Sequence, residues 1–547
     1  MNFKRFAIAG VSLSVALLLA ACGNNSAKTS STVNKQVMNL SATGTLDTID
    51  ISKSTGYGQT GNVFESFYRL GKNGTATAGL AKSGKVSKDG KTWTFKLRNA
   101  KWSNGDPITA DDFVYSWRRT INPKTASPYS YLFSGIKNSD QIIAGKKKPS
   151  TLGITAQDKK TVVVKLDKPI AYFKVLMAYP LFGPQNEFFI KKVGNKYATT
   201  SKYMVYSGPF KITGWKGTND TWSFVKNNNY WDKDKVKLHK INFQVVKTTN
   251  TGYQLYQQKK LDLTPLSSEQ VANLKNNKDF KTYPYSYVAF LAYNFKDANK
   301  ANRQALSNKN IRLALSLSLN RNVLTKKVFG DGSSVPKGFV ATGLAYDPSD
   351  KKDFADEQKV SNTVDYNESL AKKYWKKGLK ELNVKKLNLT LLASNESTNA
   401  SALTQYIQSQ WTKVLSGINV KVNSVPAKNA QSRATSGDFD VYVSGWGGDF
   451  SDPMTFMQIM ESGTSYNYGK WNSKEYDSLI SKALNEDAND VNKRWQDLVS
   501  AARLVNSEQA ITPIYQQTTA YLQNSKIHGI IHNNAGTQWS YKYAYIK

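Results

Sequence analysis

Lys101-Trp102-Ser103-Asn104-Gly105-Asp106-Pro107-Ile108-Thr109-Ala110-Asp111-Asp112-Phe113 ends in a helix start. Thr109 is placed to cap the first turn, and Asp111 and Asp112 lie where acids complement the positive end of the helix dipole. Phe113, Trp117 and Ile121 then recur at i, i+4 and i+8, the spacing of a helix packed on a core. The two acids are therefore a structural pair and not a catalytic one. Outward from this helix, segments rich in alternating or β-branched residues predict strands at Thr92–Leu97, 161–166, 241–246 and 387–392. Helical patterns fall between them, at 311–328 and 368–379. Helices interrupting strands throughout, with no internal repeat, indicate an α/β class and exclude a β-sandwich or a bundle.

The N-terminus states where the protein works. Lys4-Arg5, an apolar run from Phe6 to Ala21, and Leu19-Ala20-Ala21-Cys22 have the layout of a secretory signal, too short to span a bilayer. Cys22 is the single cysteine of the chain and stands where a bacterial lipobox needs a thiol. Residues 1–21 are thus expected to be a lipoprotein signal peptide and Cys22 the lipid-bearing mature N-terminus. Residues 22–36, poor in apolar side chains, would form a flexible tether. Acyl chains on Cys22 would hold the protein at the outer face of the cell membrane. From Cys22 onward the length suits two to four compact units of about 100–200 residues each.

The 547 residues carry 75 basic and 40 acidic side chains, a formal charge of +35. Export, a spread of lysines along the chain and the lack of a nucleic-acid module exclude nucleic acid as partner; the lysines read as solvated faces. High charge beside a lipobox points to a Gram-positive surface. Thirty tyrosines and twelve tryptophans suit a cleft that stacks and hydrogen-bonds ligands.

Enzyme motifs fail one by one. Gly56-Tyr57-Gly58-Gln59-Thr60-Gly61 matches G-x-G-x-x-G ahead of a helix predicted at 62–70. It lacks both the strand leading into the first glycine and the later acid of a dinucleotide site. Three histidines, His239, His528 and His532, are too few and too scattered for a metal centre. No G-x-S-x-G or Walker motif appears. No cofactor, metal or catalytic residue is expected.

The chain resembles the extracytoplasmic oligopeptide-binding lipoproteins of peptide ABC importers over nearly its whole mature length. The match runs through Asn62 to Leu70, Gly79-Leu80-Ala81, the quoted stretch Lys101 to Phe113, and Thr125-Ala126-Ser127-Pro128-Tyr129. It continues in Gly208-Pro209-Phe210-Lys211, Lys226 to Trp231, Asn310 to Leu315 and Gly445-Trp446-Gly447-Gly448-Asp449-Phe450-Ser451-Asp452-Pro453. The resemblance implies a two-lobed, periplasmic-binding-protein-like (type II) fold with an extra subdomain in the first lobe. Lobe I would comprise 37–79, 200–285 and 512–547, the subdomain 80–199, and lobe II 286–511. Ile511-Thr512-Pro513-Ile514-Tyr515 would be the start of a strand or a hinge.

By the same resemblance the protein captures extracellular oligopeptides as a monomer and delivers them to an ABC permease whose partner hydrolyses ATP. Asp449 would meet the peptide ammonium, Gly445-Trp446-Gly447 would pair with its backbone, and Tyr129 and Tyr285 would line the cleft. Backbone pairing and a buried carboxylate hold peptides of any sequence, and glycines let a ligand backbone come close. Val443 and Ser52 stand where some relatives carry charged residues, which bears on ligand length and C-terminal recognition. Rival readings are a same-fold receptor for signalling peptides or oligosaccharides, and a cationic adhesin for cell-wall polymer or host matrix. Nickel is disfavoured by the histidine count.

Overall fold

The computed structural model describes residues 36–547 apart from 47, 55, 397–398 and 537–538. The signal segment, Cys22 and the tether up to residue 35 lie outside the described residues. Residues 36–547 form one compact unit. Among the described residues no helix is long and apolar enough to cross a membrane.

A ten-stranded mixed sheet organises the unit. In spatial order its strands are Ile418–Val425, Leu387–Ser394, Val441–Trp446, Phe280–Tyr293, Ile511–Gln523, Leu263–Pro265, Val37–Ala42, Lys240–Val245, Thr221–Lys226 and Phe210–Thr213. Parallel pairing occurs toward both ends: Val37–Ala42 with Lys240–Val245, and Leu387–Ser394 with both Ile418–Val425 and Val441–Trp446. Two long antiparallel strands, Phe280–Tyr293 and Ile511–Gln523, join the halves. Their register shifts between Pro284 and Val288, where proline withdraws a ladder donor.

Each half has its own core because strand alternation turns apolar residues toward covering helices and loops. Met38, Leu40, Phe210, Trp222, Phe224, Ile241 and Phe243 pack in one cluster. Leu291, Tyr293, Leu389, Leu391, Trp411, Val420 and Val441 pack in the other. Helices Lys309–Leu317 and Glu368–Leu382 cover the second half. The helix expected at 311–328 is interrupted after Leu317 and resumes in Arg321–Val323 and Leu324–Phe329. Asn320 caps the second segment, its side chain accepting from Val323 N at 3.1 Å, so a local cap splits the apolar periodicity in two.

A separate four-stranded antiparallel sheet is built from Ala81–Val86, Thr92–Leu97, Thr161–Lys165 and Ile154–Asp158 in that order. Helix Ala110–Ile121 packs on it. Its start is the capping box read from sequence: Asp112 Oδ2 accepts from Thr109 N at 2.9 Å. Phe67 stacks between Phe95 and Phe113, with ring centroids 4.2 and 4.1 Å away. Trp117 is fully buried and donates to the Phe182 carbonyl at 3.0 Å. The helix expected at 62–70 is corrected to a single turn, Thr60–Val63, followed by strand Tyr68–Leu70. Asn62 is used for long-range bonds to Trp539 O and Tyr541 N, so tertiary partners replace helical continuation.

Candidate functional site

Strand Val441–Trp446 runs between Leu387–Ser394 and Phe280–Tyr293 and leaves the sheet where Trp446 faces Val288. The chain then turns through Gly447 and Gly448 into Asp449. Backbone donors pin the turn: Gly448 N to Ser286 Oγ at 2.9 Å and Asp449 N to Thr455 Oγ1 at 3.0 Å. Beyond it, Asp452 receives a two-pronged ion pair from buried Arg494, at 2.9 and 2.7 Å. Phe450 stacks on Tyr172 at 4.5 Å and 13°. The loop bearing Asp449 is thus held from its own side by Arg494 and from the 80–199 region by Tyr172.

The Asp449 side chain is held within a group of tyrosines. Tyr131 hydrogen-bonds it, and one carboxylate oxygen, Oδ2, is buried with no hydrogen-bond partner among the described residues. Tyr57 Oη, Ser127 Oγ and Trp446 Nε1 are likewise buried without partners. Tyr57 stacks on Tyr129 at 5.0 Å and meets Tyr179 edge-on at 5.3 Å. Burial pushes the Asp449 carboxyl up to about 6, opposed by the Tyr131 bond. Burial, and then the nearby Asp449 charge, raises the tyrosine hydroxyls Tyr129, Tyr131 and Tyr179. A desolvated acid with an idle oxygen is a strong acceptor for a cationic donor that the protein itself does not supply.

The residues expected at the site come together as follows. Tyr129, Tyr285 and Asp449 share one neighbourhood, since both Asp449 and Tyr285 act electrostatically on Tyr129. A Cβ on Gly447 would lie 3.8 Å from the Tyr285 ring. The Trp446 ring meets Tyr466 edge-on at 4.9 Å. At Gly445 the place of a Cβ is taken by the Tyr287 hydroxyl, so the missing side chain makes room for that tyrosine. Ser52 is buried and shares a hydrogen bond with Thr120 Oγ1 at 2.8 Å, inside a polar network with Asp50, Arg119 and Gln185.

Sequence reasoning missed Tyr57, Tyr131, Tyr179, Ser127, Tyr172 and Arg494. Tyr57 lies in the glycine-rich stretch set aside as a failed dinucleotide motif, and Tyr131 lies two residues after Tyr129. Nothing local to Tyr172 or Arg494 marks them. His532 packs against Tyr283 and Trp539, and burial lowers it to about 4. Carboxylates of Asp347, Asp350 and Glu357 lie within 4.8 Å of one another and could hold a cation. Asp350 is already paired with Lys352 at 2.6 Å, far in sequence from the Asp449 loop.

Residues 75–468 match the family described as "Bacterial extracellular solute-binding proteins, family 5 Middle". The chain is 38% identical to a dipeptide-binding protein of Lactococcus lactis subsp. cremoris, with 100% of both chains covered. Its structure is similar to Listeria monocytogenes OppA bound to peptide: TM-score 0.74, 39% identity, 94% of this chain and 99% of that one. It is also similar to the unliganded open form of the murein tripeptide binding protein MppA: TM-score 0.78, 29% identity, 94% and 98% covered.

Proposed function

Because the chain belongs to the family 5 bacterial extracellular solute-binding proteins, we propose that it binds oligopeptides and hands them to the membrane permease of an ABC importer, without catalysis of its own. The observation that carries the peptide reading is the buried Asp449 Oδ2 left without a partner among tyrosines. An α-ammonium offers three donors and a positive charge, which matches one idle carboxylate oxygen in a desolvated site. Trp446 and Gly447 sit at the end of a sheet strand, where an extended peptide adds backbone bonds without reading side chains. Tyr129 and Tyr285, with Tyr57 and Tyr131, wall the first residues of the ligand.

Closure belongs to the same proposal. The register shift at Pro284–Val288, opposite residues 516–518, is where the two long strands bend between halves, and relatives are known both with peptide and in an open form. Ligand contacts to the Asp449 loop and to the 80–199 region would shift the open–closed population. Anchoring through Cys22 and a Gram-positive outer surface, supported by the lipobox and the high basic charge, and action as a monomer, supported by the family resemblance alone, complete the reading.

Native mass spectrometry of the protein mixed with a free-amine peptide library tests it. Retention that is lost on N-acetylation of the peptides and on Asp449→Ala supports the anchor. No retention by either protein would sink the reading and bring forward oligosaccharide binding or the adhesin role.

A further inference from the structure

A cavity of about 610 Å³ opens at the carboxyl ends of the parallel strands Val37–Ala42 and Lys240–Val245. That position is the usual ligand side of a parallel sheet, and the volume falls within the roughly 300–1,000 Å³ of small-ligand pockets. Five rings, Trp222, Phe243, Tyr521, Trp539 and Tyr541, stand in a wall otherwise rich in serine, threonine and glycine. Lys247 is the one charged residue among the described lining residues, and it is exposed at the rim.

Two structural elements border both this cavity and the Asp449 site. Gly56, Gly58 and Gln59 line the cavity, while Tyr57 between them turns inward and stacks on Tyr129. Gln59 is fixed by the Trp222 indole at 3.2 Å. On strand Phe280–Tyr293, Tyr283 meets Trp539 and Tyr521 of the cavity wall at 4.7 and 5.6 Å. Tyr285 faces Gly447. Tyr283 and Tyr285 flank Pro284, at the start of the register shift that runs to Val288, one ring against the cavity wall and the other against the Asp449 loop. The glycine-rich stretch is therefore a partition between an ammonium anchor and an aromatic cavity.

We propose that this cavity receives the C-terminal residue of a bound peptide, an aromatic or branched apolar side chain among the rings and a free carboxylate toward Lys247. The assignment rests on Asp449 as the ammonium anchor. With both termini fixed, the span from the Asp449 loop past Tyr285 and Tyr283 to the cavity sets a preferred ligand length. A rim lysine attracts a carboxylate and disfavours a C-terminal amide, and the rings reward apolar area.

Gly58 provides the test, because a Cβ there meets nothing within 4 Å and its φ is not positive. Gly58→Leu places a bulky side chain at the cavity wall where its Cβ meets no neighbour. Calorimetric affinities are measured for free-amine peptides from dipeptide to octapeptide ending in phenylalanine, with free or amidated C-termini. In the wild type, affinity should step up about tenfold at one length, and amidation should remove the step. Gly58→Leu should abolish it, and Lys247→Ala should make acid and amide bind alike. Equal length dependence in wild type and Gly58→Leu would overturn the proposal. So would 3-phenylpropionate binding equally to wild type and Asp449→Asn in a Gly58→Leu-sensitive manner, since the cavity would then serve a free aromatic acid. N-acetylated peptides that keep the Gly58-sensitive step would overturn the Asp449 anchor while leaving the cavity assignment in place.

Discussion

Asp449→Asn should make the ligand-free protein more stable while removing its grip on free-amine peptides. Burial holds the Asp449 carboxyl at about 6 instead of its ordinary 3.8. Each unit of that difference corresponds to about 1.4 kcal/mol, so the ionised group costs the ligand-free fold about 3 kcal/mol at neutral pH. Here the folded value is the higher one. The cost is therefore fully present above about 6 and vanishes as pH falls toward 3.8, where both states are protonated. Asparagine carries no charge and keeps an oxygen for the Tyr131 hydroxyl, so up to about 3 kcal/mol is recovered. Peptide binding moves the other way. An ammonium stabilises the carboxylate, and between pH 7 and 5 affinity should fall about tenfold as the free site takes up a proton. Urea unfolding of protein refolded free of peptide, at pH 7 and pH 4.5, measures the first effect; calorimetric titration with one tetrapeptide across pH measures the second. An Asp449→Asn protein that is no more stable than wild type at pH 7, and whose peptide affinity stays flat from pH 7 to 5 like that of wild type, would refute the reasoning.

Arg494→Ala should cost about 3–5 kcal/mol, because Asp452 is left as an uncompensated, largely buried charge; thermal unfolding checks this, and Arg494→Lys should recover only part of it because the two-pronged geometry is lost. Phe450→Ala removes the stack on Tyr172 and should raise peptide off-rates several-fold in stopped-flow displacement, with a coupling of about 0.5–1.5 kcal/mol in a cycle with Tyr172→Ala. Gly445→Ala drives a methyl group into Tyr287 and should destabilise by about 1–3 kcal/mol, read by urea midpoint; Gly447→Ala, whose Cβ finds ordinary contact distances, should be milder. Thr109→Ala should lower stability by about 0.5–2 kcal/mol through loss of the helix cap, with peptide affinity unchanged.

The cap at Thr109, the core face of Phe113, Trp117 and Ile121, and strands such as Thr92–Leu97 were legible in sequence because each depends on residues within a turn or on alternate positions of one strand. Signals failed where a local pattern competed with distant partners. Asn62 exchanged helical continuation for bonds to Trp539 and Tyr541, and Asn320 split an apolar helix by capping a second segment. Asp449, Trp446 and Gly447 were found only through their family resemblance; composition and spacing single out none of them.

By itself, then, the sequence determined an exported α/β chain, its capped helices and alternating strands, and the identity of a glycine-rich loop ending in an acid. Only the tertiary structure decided that this acid would be buried. Tyr57, Tyr129, Tyr131 and Tyr179 come from the far end of the chain, outside the ten-stranded sheet, and they gather around Asp449 where its loop meets the 80–199 region, with Phe450 stacked on Tyr172. Desolvation is a property of everything around a group and not of its neighbours in sequence. An aspartate written in the chain became a candidate ammonium receptor only once those rings had displaced its water.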